Sequence, residues 1–309
     1  MLLTTLSHQH PSRLMWTLVF IGLGALSSAA ILVKLCAAPP FAIAAYRLTI
    51  AATVFVVATL IRQGSPLRPF SRPQLAIAMA SGGFLALHFA TWISSLRYTS
   101  VASSVVLVQT APILVALGSY FLLGETPRPL TLIGIALAVL GGLVIASHDR
   151  GSGHDPLRGD LLALAGAIGA AGYWLAGRRL RATIGIFPYA AVVYSTAAIV
   201  LTLLALCTGV RLWPYPSRTL FLLFLIGLVP QVIGHTSFNY GLRFLSASVV
   251  SVLVLGEPVG ATVLAYFVLG EPVSATKAIG GMAILMGVYL TARAESTANA
   301  AAAGSGETV

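Results

Sequence analysis

Apolar residues in this sequence come in long runs, and short breaks containing proline, glycine and arginine separate them. A helix needs about 20 mostly apolar residues to cross the hydrocarbon core of a bilayer. Ten stretches qualify or nearly qualify as transmembrane helices, at residues 14–35, 41–61, 74–96, 100–123, 130–147, 159–179, 185–207, 218–241, 246–269 and 274–292. The pattern predicts an all-α membrane protein with ten transmembrane helices.

Polar segments divide the chain into four parts. A short N-terminal tail and the first five predicted helices occupy residues 1–148, and a polar loop follows at residues 149–158. The other five helices occupy residues 159–293. The small and polar residues of 294–309 predict a disordered C-terminal tail.

The two sets of five helices are related by an internal repeat. Residues 96–126 and 242–272 align without a gap and share 12 identities in 31 positions, among them arginine, proline, glycine and glutamate. Shared hydrophobicity alone would not align these residue types. Because each set has an odd number of helices, the second set begins on the opposite side of the membrane. The sequence therefore predicts two inverted five-helix repeats around a central cavity, an architecture typical of alternating-access transporters.

Composition supports the membrane interpretation. Hydrophobic residues make up 58% of the chain and charged residues 8%, whereas soluble proteins have about 25% charged residues. The net charge of +10 is not arranged as a basic stripe interleaved with aromatics, so no nucleic-acid partner is expected. Ten basic residues fall on the side of the N-terminus and seven on the other side. This bias predicts cytoplasmic N- and C-termini. We expect a multi-pass protein of the bacterial plasma (inner) membrane.

Glu257 is the one acidic residue deep inside a predicted helix, near its midpoint. A charge at the bilayer centre costs about 2.5–3.5 kcal/mol on insertion scales, so this carboxyl should face a cavity, a partner or a bound proton. Binding of a substrate ammonium and coupling to protons are the functional interpretations. The structural alternative is a hydrogen bond to the backbone of a neighbouring helix.

Other polar and aromatic side chains within the predicted helices are candidates for a substrate site. Gln231, His235 and Asn239 share one face of the eighth predicted helix at four-residue spacing, which argues against lipid contact. A cavity lining is the functional interpretation, and interhelical hydrogen bonding is the alternative. Arg47, two turns inside the second helix, either reaches the membrane surface or pairs with a carboxylate of a substrate or of Glu257. The remaining candidates, for which interhelical packing is the alternative, are His88, Trp92, Gln109, Tyr173 and Trp174.

Proline and small residues predict local helix geometry. Pro112 and Pro258 each remove a backbone hydrogen bond, so both helices are expected to kink beside the transport path. Small residues on the fifth and tenth helices form faces suited to close helix packing, and these faces permit a homodimer without requiring one. These residues are Gly134, Ala138, Gly142, Ala283 and Gly287.

Several short motifs resemble those of the EamA-type family in the drug/metabolite transporter (DMT) superfamily. They are Val33-Lys34, Pro39-Pro40, Ala45-Tyr46-Arg47, the Leu-Arg pairs at 96–97 and 242–243, Pro112, Glu257-Pro258, and Leu-Gly-Glu at 123–125 and 269–271. The resemblance covers roughly residues 14–292. It implies ten helices around a central cavity, cytoplasmic termini, and export or exchange of small metabolites, amino acids among them.

Two other classes of function remain open at this stage. An intramembrane enzyme would need catalytic motifs such as Gly-x-Ser-x-Gly or His-Glu-x-x-His, and the sequence has neither. A channel would need a ring of equivalent polar groups, whereas the position equivalent to Glu257 in the first repeat is Ala111. The sequence lacks metal-ligand spacing and nucleotide-binding motifs, so neither a metal nor another cofactor is expected, and an ion or solute gradient would supply the energy.

Overall fold

The computed structural model of the protein describes residues 13–99, 104, 107–146, 155–270 and 273–305. Regular structure in these residues is helical, which agrees with the predicted all-α class. The helices are α1 Arg13–Leu35, α2 Pro40–Gln63, α3 Arg72–Ser95, α4 Ala111–Leu123, α5 Pro129–Ala146, α6 Pro156–Arg181, α7 Ile186–Cys207, α8 Ser217–Gly241, α9 Ala247–Val254, α10 Glu257–Leu269 and α11 Ala275–Ser305.

Eight spans in the described part of the chain are long and apolar enough to cross a membrane. Helices α9 and α10 together form one of them, Ala247–Val268, and α4 and α5 are shorter apolar helices. The fourth predicted helix begins among residues that lie outside the described ranges. Large apolar side chains cover the outside of the bundle: Phe20, Phe121 and Phe267 are 62%, 75% and 76% exposed. Lipid solvates such a surface, and the protein is a multi-pass membrane protein.

Two predicted boundaries need correction. The predicted inter-repeat loop extended to residue 158, but α6 already begins at Pro156, because the side chain of Asp155 caps the helix by accepting a hydrogen bond from the Arg158 N–H at 3.2 Å. The tail after Arg293 was predicted to be disordered, but α11 continues to Ser305. This segment is rich in alanine, the residue with the highest helix propensity. The N-terminal tail and residues 147–154 lie outside the described part.

Helices from the first half of the chain pack mainly against helices from the second half. The most extensive contacts join α2 to α7, α3 to α6 and α5 to α11. Between α5 and α11 the backbones approach so closely that a Cβ on Gly141 would lie 2.5 Å from the carbonyl oxygen of Gly280. A Cβ on Gly287 would likewise lie 2.5 Å from the Gly134 oxygen. The small-residue faces are thus largely used inside the molecule, which removes the argument from them for a homodimer.

Two membrane-length spans are irregular near their midpoints. The central part of α8, Gly227–His235, is π-helical and contains Pro230, which cannot donate a backbone hydrogen bond. The span α9–α10 is interrupted at Leu255 and Gly256, and Pro258 is the second residue of α10. Pro112 has the same position in α4. Both prolines lie in a first helical turn, where a missing N–H is tolerated, so the predicted kinks are breaks between successive helical segments.

Candidate functional site

Arg47 is buried in the centre of the bundle, two turns after the start of α2. Its side chain is 1% exposed, so it does not reach the membrane surface. Its Nε donates a hydrogen bond of 2.7 Å to Oε1 of Gln231, and its guanidinium carbon lies 4.3 Å from the centroid of the Phe89 ring. No group in the described part of the chain accepts a hydrogen bond from Nη1 or Nη2. This guanidinium therefore keeps two nitrogens with their N–H groups available to an anion.

Glu257 is the first residue of α10, at the break between α9 and α10. The sequence suggested a continuous helix here, whereas the structure places the carboxylate at a helix N-terminus, where unpaired N–H groups and the helix dipole favour a negative charge. The side chain is half-buried and lies within electrostatic range of the Arg47 guanidinium. Within the described ranges it forms neither an ion pair with Arg47 nor the backbone hydrogen bond considered as the structural alternative.

Gln231, His235 and Asn239 on α8 are all buried, with exposures of 0%, 6% and 0%. Each keeps a polar atom that has no hydrogen-bond partner among the described residues, namely Nε2 of Gln231, Nδ1 of His235 and Oδ1 of Asn239. Buried polar atoms in proteins are nearly always hydrogen-bonded. Several such atoms without partners, together with the free Nη1 and Nη2 of Arg47, are the arrangement expected of a ligand site. We call Arg47, Gln231, His235, Asn239 and Glu257 the central cluster.

Tyrosine hydroxyl groups hold Asn239 in place. Its Nδ2 donates a hydrogen bond of 3.1 Å to the hydroxyl of Tyr194 and another to the hydroxyl of Tyr173. The Tyr194 hydroxyl also lies 3.0 Å from Oγ1 of Thr236, the first residue after the π-helical segment. These bonds fix the end of α8 against α6 and α7.

Aromatic rings form one wall of the central cluster. The His235 ring stacks on Trp174, with centroids 5.9 Å apart and planes 8° from parallel. It forms an edge-to-face contact with Phe89, with ring centroids 5.5 Å apart and an angle of 71° between the planes. The centroid of the Tyr173 ring lies 6.2 Å from that of His235. The predicted residues Tyr173 and Trp174 therefore both contact the predicted residue His235. Such a wall suits an apolar or aromatic solute.

Among the described residues, the remaining candidates His88, Trp92 and Gln109 form no hydrogen bond or ring contact with the central cluster. His88 stacks on Trp92 at 5.9 Å and 7°, and its Nδ1 lies 3.0 Å from the carbonyl oxygen of Gly166. This bond joins α3 to α6, so the side chain has a packing role, while its ring also contacts Phe89 at 4.8 Å. Gln109 is buried, and its amide lies against Gly142 of α5. The described contacts do not connect Gln109 to the central cluster.

Sequence reasoning missed two residues of this site, Phe89 and Tyr194. Phe89 contacts Arg47 and both histidines, and Tyr194 binds Asn239. In the sequence each is one aromatic residue within an apolar helix and looks like ordinary core. The only available signal was proximity, because Phe89 directly follows His88.

The chain is similar in sequence to proteins of one transporter family. The profile of the EamA-like transporter family matches residues 13–147 and again residues 157–293. The "Uncharacterized transporter YwfM" of Bacillus subtilis (strain 168) is 27% identical over 268 residues, which cover 85% of this chain and 89% of that protein. The "Aromatic amino acid exporter YddG" of Ancylobacter novellus is 30% identical over 232 residues, or 73% of this chain and 78% of that protein.

A solved crystal structure has a similar fold. It superimposes with a TM-score of 0.77 over 91% of this chain and 98% of its own chain, at 23% sequence identity. At this identity the similarity concerns the fold alone.

Proposed function

Because the chain belongs to the EamA-like transporter family, within the drug/metabolite transporter superfamily, we propose that it is a secondary transporter of small zwitterionic metabolites, amino acids among them. The proposed mechanism is alternating access between two inverted five-helix repeats. Two observations support the repeats: the family profile matches each half separately, and the halves share the aligned residues 96–126 and 242–272. With α4 and α5 as crossing helices, each half has five.

The observation that carries the proposed substrate class is the pair of Arg47 and Glu257. Each half of the chain supplies one charge, and the two charges lie near each other without an ion pair. An unpaired charge at membrane depth costs several kcal/mol or more, so such charges are retained where they have a function. A zwitterion between them would offer its carboxylate to Nη1 and Nη2 of Arg47 and its ammonium to Glu257, and both charges would then be paired.

The aromatic wall indicates which kind of side chain the substrate would have. A flat or apolar side chain would lie against Trp174, His235 and Phe89, since the His235 ring contacts the other two. The relative named as an aromatic amino acid exporter makes the same substrate class a reasonable one for this chain. Aromatic amino acids are therefore the first solutes to test.

The proposed alternating-access mechanism follows from the burial of residues in the central cluster. Arg47, Gln231 and Asn239 are at most 1% exposed, so a solute reaches them only when helices of the two halves move apart. Inverted repeats achieve this by exchanging their conformations. The helix breaks before Pro112 and Pro258 supply points at which such a movement can bend the chain.

Glu257 is also the residue that would couple substrate transport to proton movement. One carboxylate can hold either a proton or the substrate ammonium, and this competition would exchange protons for substrate across the membrane. Such exchange would drive export from the cytoplasm in a bacterial plasma membrane, with both chain termini on the cytoplasmic side. The two relatives described above are bacterial, which supports this location.

Neither alternative function fits the central cluster as well. The family and its named relatives are transporters, which argues against an intramembrane enzyme. A channel would present equivalent polar groups around an open path. Glu257, however, corresponds to Ala111 in the first half, and Arg47, Gln231 and Asn239 are at most 1% exposed.

The experiment that tests this function is flux into proteoliposomes containing the purified protein. Radiolabelled amino acids and small metabolites are supplied with and without a pH gradient, and empty liposomes serve as the control. Saturable flux driven by the gradient supports a proton-coupled carrier, and saturable flux that is indifferent to the gradient supports a facilitator or exchanger. Non-saturating flux would indicate a channel, and chemical conversion of the solute an enzyme.

A further inference from the structure

An ion pair outside the central cluster joins the two halves of the chain at one end of the bundle. Nε of Arg178, in the last turn of α6, lies 2.7 Å from Oε1 of Glu125, which follows the end of α4. The Arg178 side chain is 4% exposed and the Glu125 side chain 22% exposed. The other carboxylate oxygen, Oε2, has no hydrogen-bond partner among the described residues. The contact is therefore a single bond and not a bidentate pair.

Arginine side chains at this end also hold the last turn of α8. Nη1 of Arg178 donates a hydrogen bond of 2.9 Å to the carbonyl oxygen of Leu242, just after α8 ends. Arg181 is 1% exposed, and its Nε donates a hydrogen bond of 3.0 Å to the carbonyl oxygen of Asn239. The C-terminal carbonyls of a helix carry partial negative charge, so they bind these cations well.

Asn239 connects this end of the bundle to the central cluster. Its carbonyl oxygen binds Arg181, while its side-chain amide binds the hydroxyls of Tyr173 and Tyr194. A displacement of the last turn of α8 relative to α6 would therefore change the position of a residue that belongs to the proposed substrate site. Closure of this end and the geometry of the site are mechanically linked.

We propose that the Glu125–Arg178 ion pair is a latch that closes the transport path at the end where α6 and α8 terminate, and that it opens in every transport cycle. This inference rests on the proposed transport function. An ion pair suits the role because it brings little net stability when formed, and both ions regain water when the end opens. An apolar contact of the same size would lose stability on opening, since its surface would then meet water.

A reversible cross-link tests whether the contact must open. Glu125 and Arg178 are both replaced by cysteine in a protein lacking the native cysteines (Cys36→Ala, Cys207→Ala), and a short bis-methanethiosulfonate reagent joins them. The latch predicts that cross-linking lowers the initial flux by about tenfold or more, because opening gates transport, and that dithiothreitol restores it. Unchanged flux in the fully cross-linked protein would overturn the latch and leave the transport function standing.

The rate at which a buried cysteine is alkylated measures opening of this end without any substrate. Leu242→Cys places a thiol at a position that is fully buried in the closed end. Adding Glu125→Gln should raise its rate of alkylation by about tenfold, since weakening the closed state by about 1.4 kcal/mol changes its equilibrium with the open state by that factor. The matched control is Arg179→Gln, which removes an exposed neighbouring cation and should leave the rate unchanged. Equal rates with and without Glu125→Gln would contradict the latch, even if no transported solute were found.

Discussion

The hydrogen bond of 2.7 Å between Nε of Arg47 and Oε1 of Gln231 joins α2 to the π-helical segment of α8. It fixes the guanidinium by one nitrogen and leaves the other two without partners. In the proposed mechanism, the same arginine therefore connects the two halves of the protein and receives the carboxylate of the substrate.

Replacing Arg47 by lysine tests the carboxylate contact. We expect Arg47→Lys to raise the KM for transport by about tenfold to a hundredfold, because hydrogen bonds to charged groups are worth about 1.5–3 kcal/mol and lysine offers no two-pronged contact. Initial rates in proteoliposomes measure the change. Arg68→Lys, in an exposed loop, is the matched control and should keep the wild-type KM. An unaltered KM in Arg47→Lys would argue against carboxylate binding.

Replacing Glu257 by glutamine tests the ammonium contact and its pH dependence. We expect wild-type flux to fall as the pH on the substrate side falls, because protonation of the carboxylate removes the partner of the ammonium. Glu257→Gln should transport little at any pH while remaining folded, as judged by size-exclusion chromatography. Glu295→Gln, in the C-terminal half of α11, serves as the control. If Glu257→Gln keeps wild-type flux and pH dependence, this glutamate is structural.

Trp174 is expected to set a preference for aromatic side chains. It stacks on His235 in the aromatic wall, and aromatic contacts contribute about 0.5–1.5 kcal/mol beyond area burial. In a competition assay, aromatic and aliphatic amino acids inhibit uptake of the labelled substrate. Trp174→Ala should therefore weaken inhibition by aromatic amino acids by about threefold to tenfold relative to inhibition by aliphatic ones. Trp213→Ala changes a tryptophan that is 65% exposed and should leave the order of competitors intact. If inhibition by aromatic and by aliphatic amino acids weakened equally, Trp174 would not determine specificity.

The contact between α5 and α11 predicts a large effect of one methyl group. A Cβ on Gly141 would lie 2.5 Å from the Gly280 carbonyl oxygen, so backbone must shift in Gly141→Ala. We expect this variant to lose about 1–3 kcal/mol of stability, as overpacked interiors do. Gly24→Ala is the control, since a Cβ there meets nothing within 4 Å, and it should be neutral or stabilising. Melting temperatures in detergent compare the two, and equal values would contradict the close packing.

The all-helical class and the eight membrane-length spans of the described residues could be predicted, because the thickness of a bilayer sets the length and hydrophobicity of a helix that crosses it. Contacts between residues that are far apart in the sequence could not be predicted. Gln231 is 184 positions from Arg47, and nothing in the local sequence identifies it as the partner. The break before Glu257 was also missed, because an apolar run containing Pro258 fits a kinked helix as well as two segments. The helix after Arg293 was missed because its small polar residues suggested disorder more strongly than its alanines suggested a helix.

Polarity was the clearest signal for site candidates in the sequence. Gln231, His235 and Asn239 were candidates because polar groups within an apolar helix are costly, and the structure places all three in the interior. Phe89 and Tyr194 were not, since aromatic residues occur throughout such helices. Arg178 and Glu125 are 53 positions apart, and only the structure brings them together.

Counterflow in proteoliposomes with matched analogues of one amino acid tests the central claim most directly. The vesicles are loaded with unlabelled phenylalanine, and uptake of radiolabelled phenylalanine is measured in the presence of phenylethylamine or 3-phenylpropionate, which lack the carboxylate and the ammonium respectively. If Arg47 and Glu257 bind the two ends of a zwitterion, phenylalanine exchanges with itself and neither analogue competes effectively. Competition by either analogue that equals competition by phenylalanine would contradict the account, because one of the two charges would then be dispensable.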